Sequence, residues 1–194
     1  MKIFRNLYDW TIEKSSKKGA AWFLSIISFA ESSFFPIPPD IILIPMVLAK
    51  KTKAFFYALI CTLSSVLGGV FGYLIGLILY NSIGVLLINF YNLGEHVYLF
   101  KNYYNSYGAW IVLIAGFTPL PFKVITIASG LFQLNFLIFL ICSLFSRGAR
   151  FYLVSSLLYL FGDKIKIYID KYFNFLTILF FVLLIGSILV IRVI

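Results

Sequence analysis

Five ionisable side chains stand inside long apolar stretches: Glu31, Asp40, Lys123, Arg147 and Arg150. At membrane depth each such group costs about 2.5–3.5 kcal/mol on insertion scales, so each calls for a partner or a task. Arg147 and Arg150 are three residues apart, which on a helix places both on one face. Side by side they repel unless acids or an anion join them, and the planar guanidinium fork suits phosphate. Glu31 has no charged neighbour in sequence, and an acid in so apolar a setting is suited to carrying a proton. Three cations against two acids leave the set with positive charge to spare. The plainer alternative is structural: both arginines pair with Glu31 and Asp40 and hold the fold together.

The segments that carry these residues repeat. Pro36-Ile-Pro38-Pro39-Asp40 and Pro119-Leu-Pro121-Phe122-Lys123 both read Pro-x-Pro-x-charge. The displacement that carries Pro36 onto Pro119 also carries Pro38 onto Pro121 and Asp40 onto Lys123. Asp40 and Lys123 are therefore expected to pair across the repeat. Proline breaks at corresponding places in two apolar halves point to a transporter site. Proline also suits a broken backbone in lipid, since it has no N–H to leave unpaired. The two tips, Pro36, Pro38 and Pro39 in one and Pro119 and Pro121 in the other, are expected to meet at the centre of the molecule.

Composition sets the class. Apolar residues make up 62% of the chain and charged residues 12%, with a mean hydropathy of +1.00. Soluble domains hold roughly 45–50% apolar and about 25% charged residues, so an all-α integral membrane protein of one domain is expected. The net charge of +9 resides in short basic loops, as the positive-inside rule requires, and does not imply a nucleic-acid partner. Cys61 and Cys142 sit within apolar stretches and are expected to be unpaired. A single histidine, His96, and no metal-ligand cluster or Ser/His/Asp set leave neither a cofactor nor an enzyme to be expected.

Charge also sets the topology. Residues 1–18 form an expected interfacial helix. Residues 20–49 carry four prolines and have basic residues on both flanks, which the positive-inside rule places on one side; a re-entrant hairpin satisfies it. Residues 54–79 are an expected span with a Gly68, Gly69, Gly72, Gly76 face for internal packing or a homodimer. An outer-side interfacial segment covers 80–108, a second re-entrant hairpin 109–134, and further spans 136–161 and 172–194. Every basic loop then lies on one side and the two repeats are inverted.

Glu31 with Pro36-Ile-Pro38-Pro39-Asp40, and Gly116-Phe117-Thr118-Pro119-Leu-Pro121-Phe-Lys123 with Gly130, resemble the DedA superfamily, also called the VTT or SNARE-associated family. Phe117 to Lys123 and Ser146-Arg-Gly-Ala-Arg-Phe151 look most like its small YqaA-type branch. The resemblance covers roughly residues 15–165. It implies two opposed re-entrant hairpins, a bacterial inner-membrane location, and movement of lipid, undecaprenyl phosphate for several bacterial members; the positive-inside rule makes the N-terminus cytoplasmic. The family's paired acids map onto Glu31 and Asp40. Of its two second-hairpin arginines, the first place holds Gly116 here and the second is met by Lys123, one residue displaced; Arg147 and Arg150 are suited to replace that charge. The expectation is a flippase for an anionic lipid, possible proton coupling included, with Lys123, Arg147 and Arg150 on the phosphate. A lipid scramblase, a small-solute transporter and a non-transporting scaffold are the alternatives.

Overall fold

The computed structural model describes residues 19–34, 38–90, 94–118 and 121–162. The expected interfacial helix at 1–18, the final span at 172–194, and Pro36 and Pro119 lie outside the described residues. Every regular element among those described is helical: α1 (Ala20–Ser33), α2 (Asp40–Ala49), α3 (Ala54–Leu79), α4 (Val85–Phe90), α5 (Gly94–Phe117), α6 (Phe122–Leu131) and α7 (Phe136–Gly162). A 3-10 turn, Lys51–Lys53, leads into α3, and a π turn, Tyr80–Gly84, leads out of it. The break after α1 ends at Pro38 and Pro39, which opens α2, and Pro121 opens α6. Proline is at ease there, because the first helical turn has no use for its missing donor.

Two of these helices, α3 and α7, are long and apolar enough to cross a membrane. At 26 residues, α3 is about 39 Å long, more than the roughly 30 Å of a bilayer's hydrocarbon core. A buried helix of a soluble protein could match that length, but its large apolar residues would face inward. Here they face out. Phe55, Leu59, Leu63, Leu67, Phe71 and Ile78 line the exposed side of α3, while Ala58, Cys61, Ser65, Gly68, Gly72 and Gly76 are buried. Small residues within and large apolar residues without is the pattern of helices packed in lipid.

The contacts fix directions. Ser28 Oγ donates to the Cys61 carbonyl and Ser33 Oγ to that of Gly68, so α1 runs parallel to the first half of α3. Thr126 faces Gly72, while the carbonyls of Ile127 and Tyr73 lie where side chains on Gly76 and Gly130 would have to sit. Hence α6 runs parallel to the second half of α3. Together α1 and α6 form a nearly continuous rail along α3, meeting where Thr126 Oγ1 donates to the Ser32 carbonyl at 3.1 Å. α7 is antiparallel to α3, with Tyr159 beside Phe55, Arg147 beside Ser65 and Phe136 beside Tyr73. α5 is antiparallel to α6, joined by Tyr104 to Ser129 and Lys101 to Gln133 at one end and by Gly116 against Phe122 at the other.

The displacement that superposes the proline motifs carries α2 onto 123–132 and α3 onto 137–162, within one residue of where α6 and α7 begin. One boundary read from the sequence does not coincide with a helix end. α5 starts at Gly94 and runs unbroken through residues 108 and 109, where the polar outer segment was divided from the second proline-broken stretch. Its Tyr- and Asn-rich first half is still compatible with helix, and nothing in 94–108 is proline. The Gly68–Gly76 face is covered from within the chain, by Phe29, Thr126 and Ile127.

Candidate functional site

Four helix ends converge beside the middle of α3: the C-terminus of α1, the N-terminus of α2, the C-terminus of α5 and the N-terminus of α6. These are the flanks of the two proline breaks. From α7, Arg147 and Arg150 reach all four.

Arg147 is the largest fully buried side chain among the described residues, with 1% of its surface exposed. Its Nη2 donates to Glu31 Oε2 at 2.5 Å and its Nε to Ser65 Oγ at 2.6 Å. The guanidinium carbon lies 5.0 Å from the Phe122 ring centre and 4.8 Å from that of Phe151. This is the box a buried guanidinium needs: a carboxylate for its charge, a hydroxyl for a further N–H, and aromatic faces for its plane. The network continues, since Ser65 Oγ is 2.6 Å from Ser32 Oγ, which in turn donates to Glu31 Oε2 at 3.2 Å. Glu31, at the end of α1, is thus tied to α3 and α7, and Phe122 brings in the start of α6.

Arg150 joins the other two ends. Its Nη1 donates to the Thr118 carbonyl just beyond α5, at 2.9 Å, and its Nη2 is paired with Asp40 Oδ2 at the head of α2. This pair is wetter than the first, with side chains 17% and 19% exposed against 1% and 12% for Arg147 and Glu31. Asp40 Oδ1 is buried with no hydrogen-bond partner among the described residues. Asp40 therefore holds unused acceptor capacity beside the Thr118 carbonyl, with Arg150 and the N-terminus of α2 to offset its charge.

The pairing of Asp40 with Lys123 expected from the repeat does not occur: Asp40 is taken by Arg150. α2 packs with α7, where Leu43, Met46, Phe151 and Leu158 share one core cluster, whereas α6 lies along α3. A guanidinium can also serve Asp40 and Thr118 with two separate nitrogens, which an ammonium on the far side of the break cannot. Lys123 sits half-buried in the first turn of α6 and makes no ion pair among the described residues. Of the five ionisable residues picked from sequence, four thus meet in two Arg–acid pairs and the fifth stands at the lip of the second break. Pro38, Pro39 and Pro121 flank the same junction. Cys61 and Cys142 are free thiols, and no group of three potential metal ligands exists among the described residues.

Serines were the part sequence reasoning missed. Ser25, Ser28 and Ser32 recur at spacings of three and four along α1 and bond to Ser64, the Cys61 carbonyl and Ser65 on α3. That one-face recurrence was the available signal. The aromatic faces of Phe122 and Phe151 carried none in a chain so rich in phenylalanine.

Comparison with known proteins adds three findings. A family model, the VTT domain, matches residues 36–160. An uncharacterized protein of Haemophilus influenzae is 38% identical over 164 residues, 84% of this chain and 85% of its own length. An uncharacterized protein of Histophilus somni is 35% identical over the same shares. No solved structure matches.

Proposed function

Because the chain belongs to the VTT-domain (DedA) family, a membrane-associated and transport-related family, we propose that it carries an anionic lipid headgroup of the isoprenoid-phosphate type across the bacterial inner membrane. The observation that carries the proposal is the convergence of both proline breaks on two arginines whose countercharges come from the protein itself. Glu31 and Asp40 hold Arg147 and Arg150. A lipid phosphate entering between the breaks competes with Asp40 for Arg150, the more exposed pair, and gains Lys123 as a second cation. Asp40 released from its arginine is then the group placed to take up a proton, which would couple headgroup movement to a pH gradient.

The same reading makes the antiparallel pairs α1/α2 and α5/α6 re-entrant, entering from opposite faces, with α3 and α7 as spans between them. Its support is the antiparallel course of α3 and α7, with the end of α7 at Gly162 beside Lys51 of the basic turn that opens α3. The N-terminus would then be cytoplasmic.

A second reading, a non-transporting scaffold, draws on the completeness of the two Arg–acid pairs. Translocation in proteoliposomes separates the two. Fluorescent undecaprenyl phosphate is compared with a neutral-headgroup lipid, using wild type, Lys123→Met and Asp40→Asn, each shown to be monodisperse. Phosphate-selective movement lost in both folded variants supports the carrier. Equal movement of both lipids makes the protein a scramblase, and movement of neither, with pH gradients of both signs, leaves the scaffold.

A further inference from the structure

At the basic end of the molecule, away from the proline breaks, Ala21, Trp22 and Ser25 of α1 and Phe56 and Ile60 of α3 line a groove of about 290 Å³. Its walls are apolar except at the floor, where Ser25 Oγ is satisfied by Ser64 Oγ at 2.6 Å. The groove therefore presents no polar group in want of a partner. Its volume is at the low end of the roughly 300–1,000 Å³ of small-molecule sites, enough for a length of hydrocarbon chain and not for a whole lipid. Trp22 is 74% exposed on one lip, the amphipathic ring that marks a membrane–water interface.

The mouth of the groove is cationic. Lys53 Nζ stands 5.9 Å over the ring of Phe56, itself a groove wall, in the basic turn Lys51–Lys53 that follows Lys50. None of the described acids belongs to this end: Glu31 and Asp40 are committed to the arginines, and Glu95 opens α5, whose Lys101 and Tyr104 pack against the opposite end of α6. An apolar slot with the Lys53 ammonium over one wall is complementary to a chain bearing a negative head.

We propose that this groove is a binding site for one acyl chain of an anionic glycerophospholipid, whose phosphate is met by the Lys53 ammonium. The site is separate from the charge cluster at the proline breaks and holds whether or not that cluster moves lipid. It selects by charge at the mouth and by chain fit along Trp22, Phe56 and Ile60. A resident lipid there would fill the gap between α1 and α3 that the Ser25–Ser64 bond closes from below.

Trp22 itself supplies the readout. In full-length protein carrying Trp10→Phe and Trp110→Phe, Trp22 fluorescence is followed in vesicles containing increasing fractions of brominated phosphatidylglycerol or brominated phosphatidylcholine. The expected result is quenching by the anionic lipid at about fivefold lower mole fraction, the preference expected of one lysine near a charged surface. Lys53→Gln should abolish that preference and Lys53→Arg should keep it. The exposed Trp110 on α5, as sole tryptophan, should show no preference. Equal quenching of Trp22 by the two lipids, or the same anionic preference at Trp110, would overturn the proposal. Should the double substitution fail to give monodisperse protein, retention of added phosphatidylglycerol over phosphatidylcholine by wild type and Lys53→Gln, counted by native mass spectrometry, decides by the same criterion.

Discussion

At the first proline break an acid stands on each side, Glu31 closing α1 and Asp40 opening α2, and both are held by arginines. At the second, the flanks are the Thr118 carbonyl and Lys123. One is an uncharged acceptor that shares Arg150 with Asp40; the other is a cation in no ion pair among the described residues. The two breaks share proline spacing and helix boundaries, but their electrostatics are opposite in sign and in completeness. The first is a closed account of charge. The second keeps one cation over. The same proline spacing thus frames two electrostatically different junctions, and on the proposed carrier reading the first is the lock and the second the opening that receives the anion.

The sharpest break of this comparison is at Arg147. Replacing it with leucine leaves Glu31 without its cation in a nearly dry setting, and removing one partner of a buried pair costs about 3–5 kcal/mol. Arg147→Leu should therefore fail to give monodisperse protein in detergent, while Glu31→Gln with Arg147→Leu should recover much of the lost thermal stability. Recovery would mark this pair as structural; no recovery would assign Arg147 a further partner. Next comes the glycine contrast along the rail. Gly76→Ala drives a methyl into the Ile127 carbonyl of α6, and overpacking of this kind costs about 1–3 kcal/mol. Gly148→Ala meets only the Thr62 methyl at 3.6 Å, and should hold or raise the melting temperature, since alanine is favoured over glycine in helices by up to about 1 kcal/mol.

Asp40→Asn is smaller again. Its partner is part-exposed and keeps Thr118, so a loss of about 1–2 kcal/mol is expected, with folded protein and headgroup movement abolished. Lys123→Met should leave stability within about 0.5 kcal/mol of wild type and yet abolish phosphate-selective movement. If Lys123→Met unfolds the protein as Arg147→Leu does, the distinction between the breaks fails.

Composition and the proline spacing made the class, the long helices α3 and α7, and the four-charge cluster legible in the sequence, because insertion costs are large enough that a charge in an apolar run is seldom idle. The partner choice within the cluster was not legible. Pairing Asp40 with Lys123 followed the symmetry of the motifs, but whether two residues touch depends on which face of α7 and which end of α2 meet, and that is decided by packing around Phe151 and Leu158. The start of α5 was hidden for a related reason. Tyrosine and asparagine at 102–107 read as interfacial by hydropathy, yet Tyr104 is buried against Phe132 and Ser129, so burial there follows tertiary context and not residue type.

The span of chain between the paired charges has a consequence for how the protein is made. Glu31 and Arg147 are 116 residues apart, and Asp40 and Arg150 are 110. At about 5–20 residues per second, the acids leave the ribosome roughly 5–25 s before the arginines that neutralise them. Throughout that interval the two carboxyl groups lack the arginines that hold them in the folded chain, so α1 and α2 are held at their junction less firmly than in the finished protein. A chain arrested before Arg147 should therefore remain a substrate for membrane quality-control proteases.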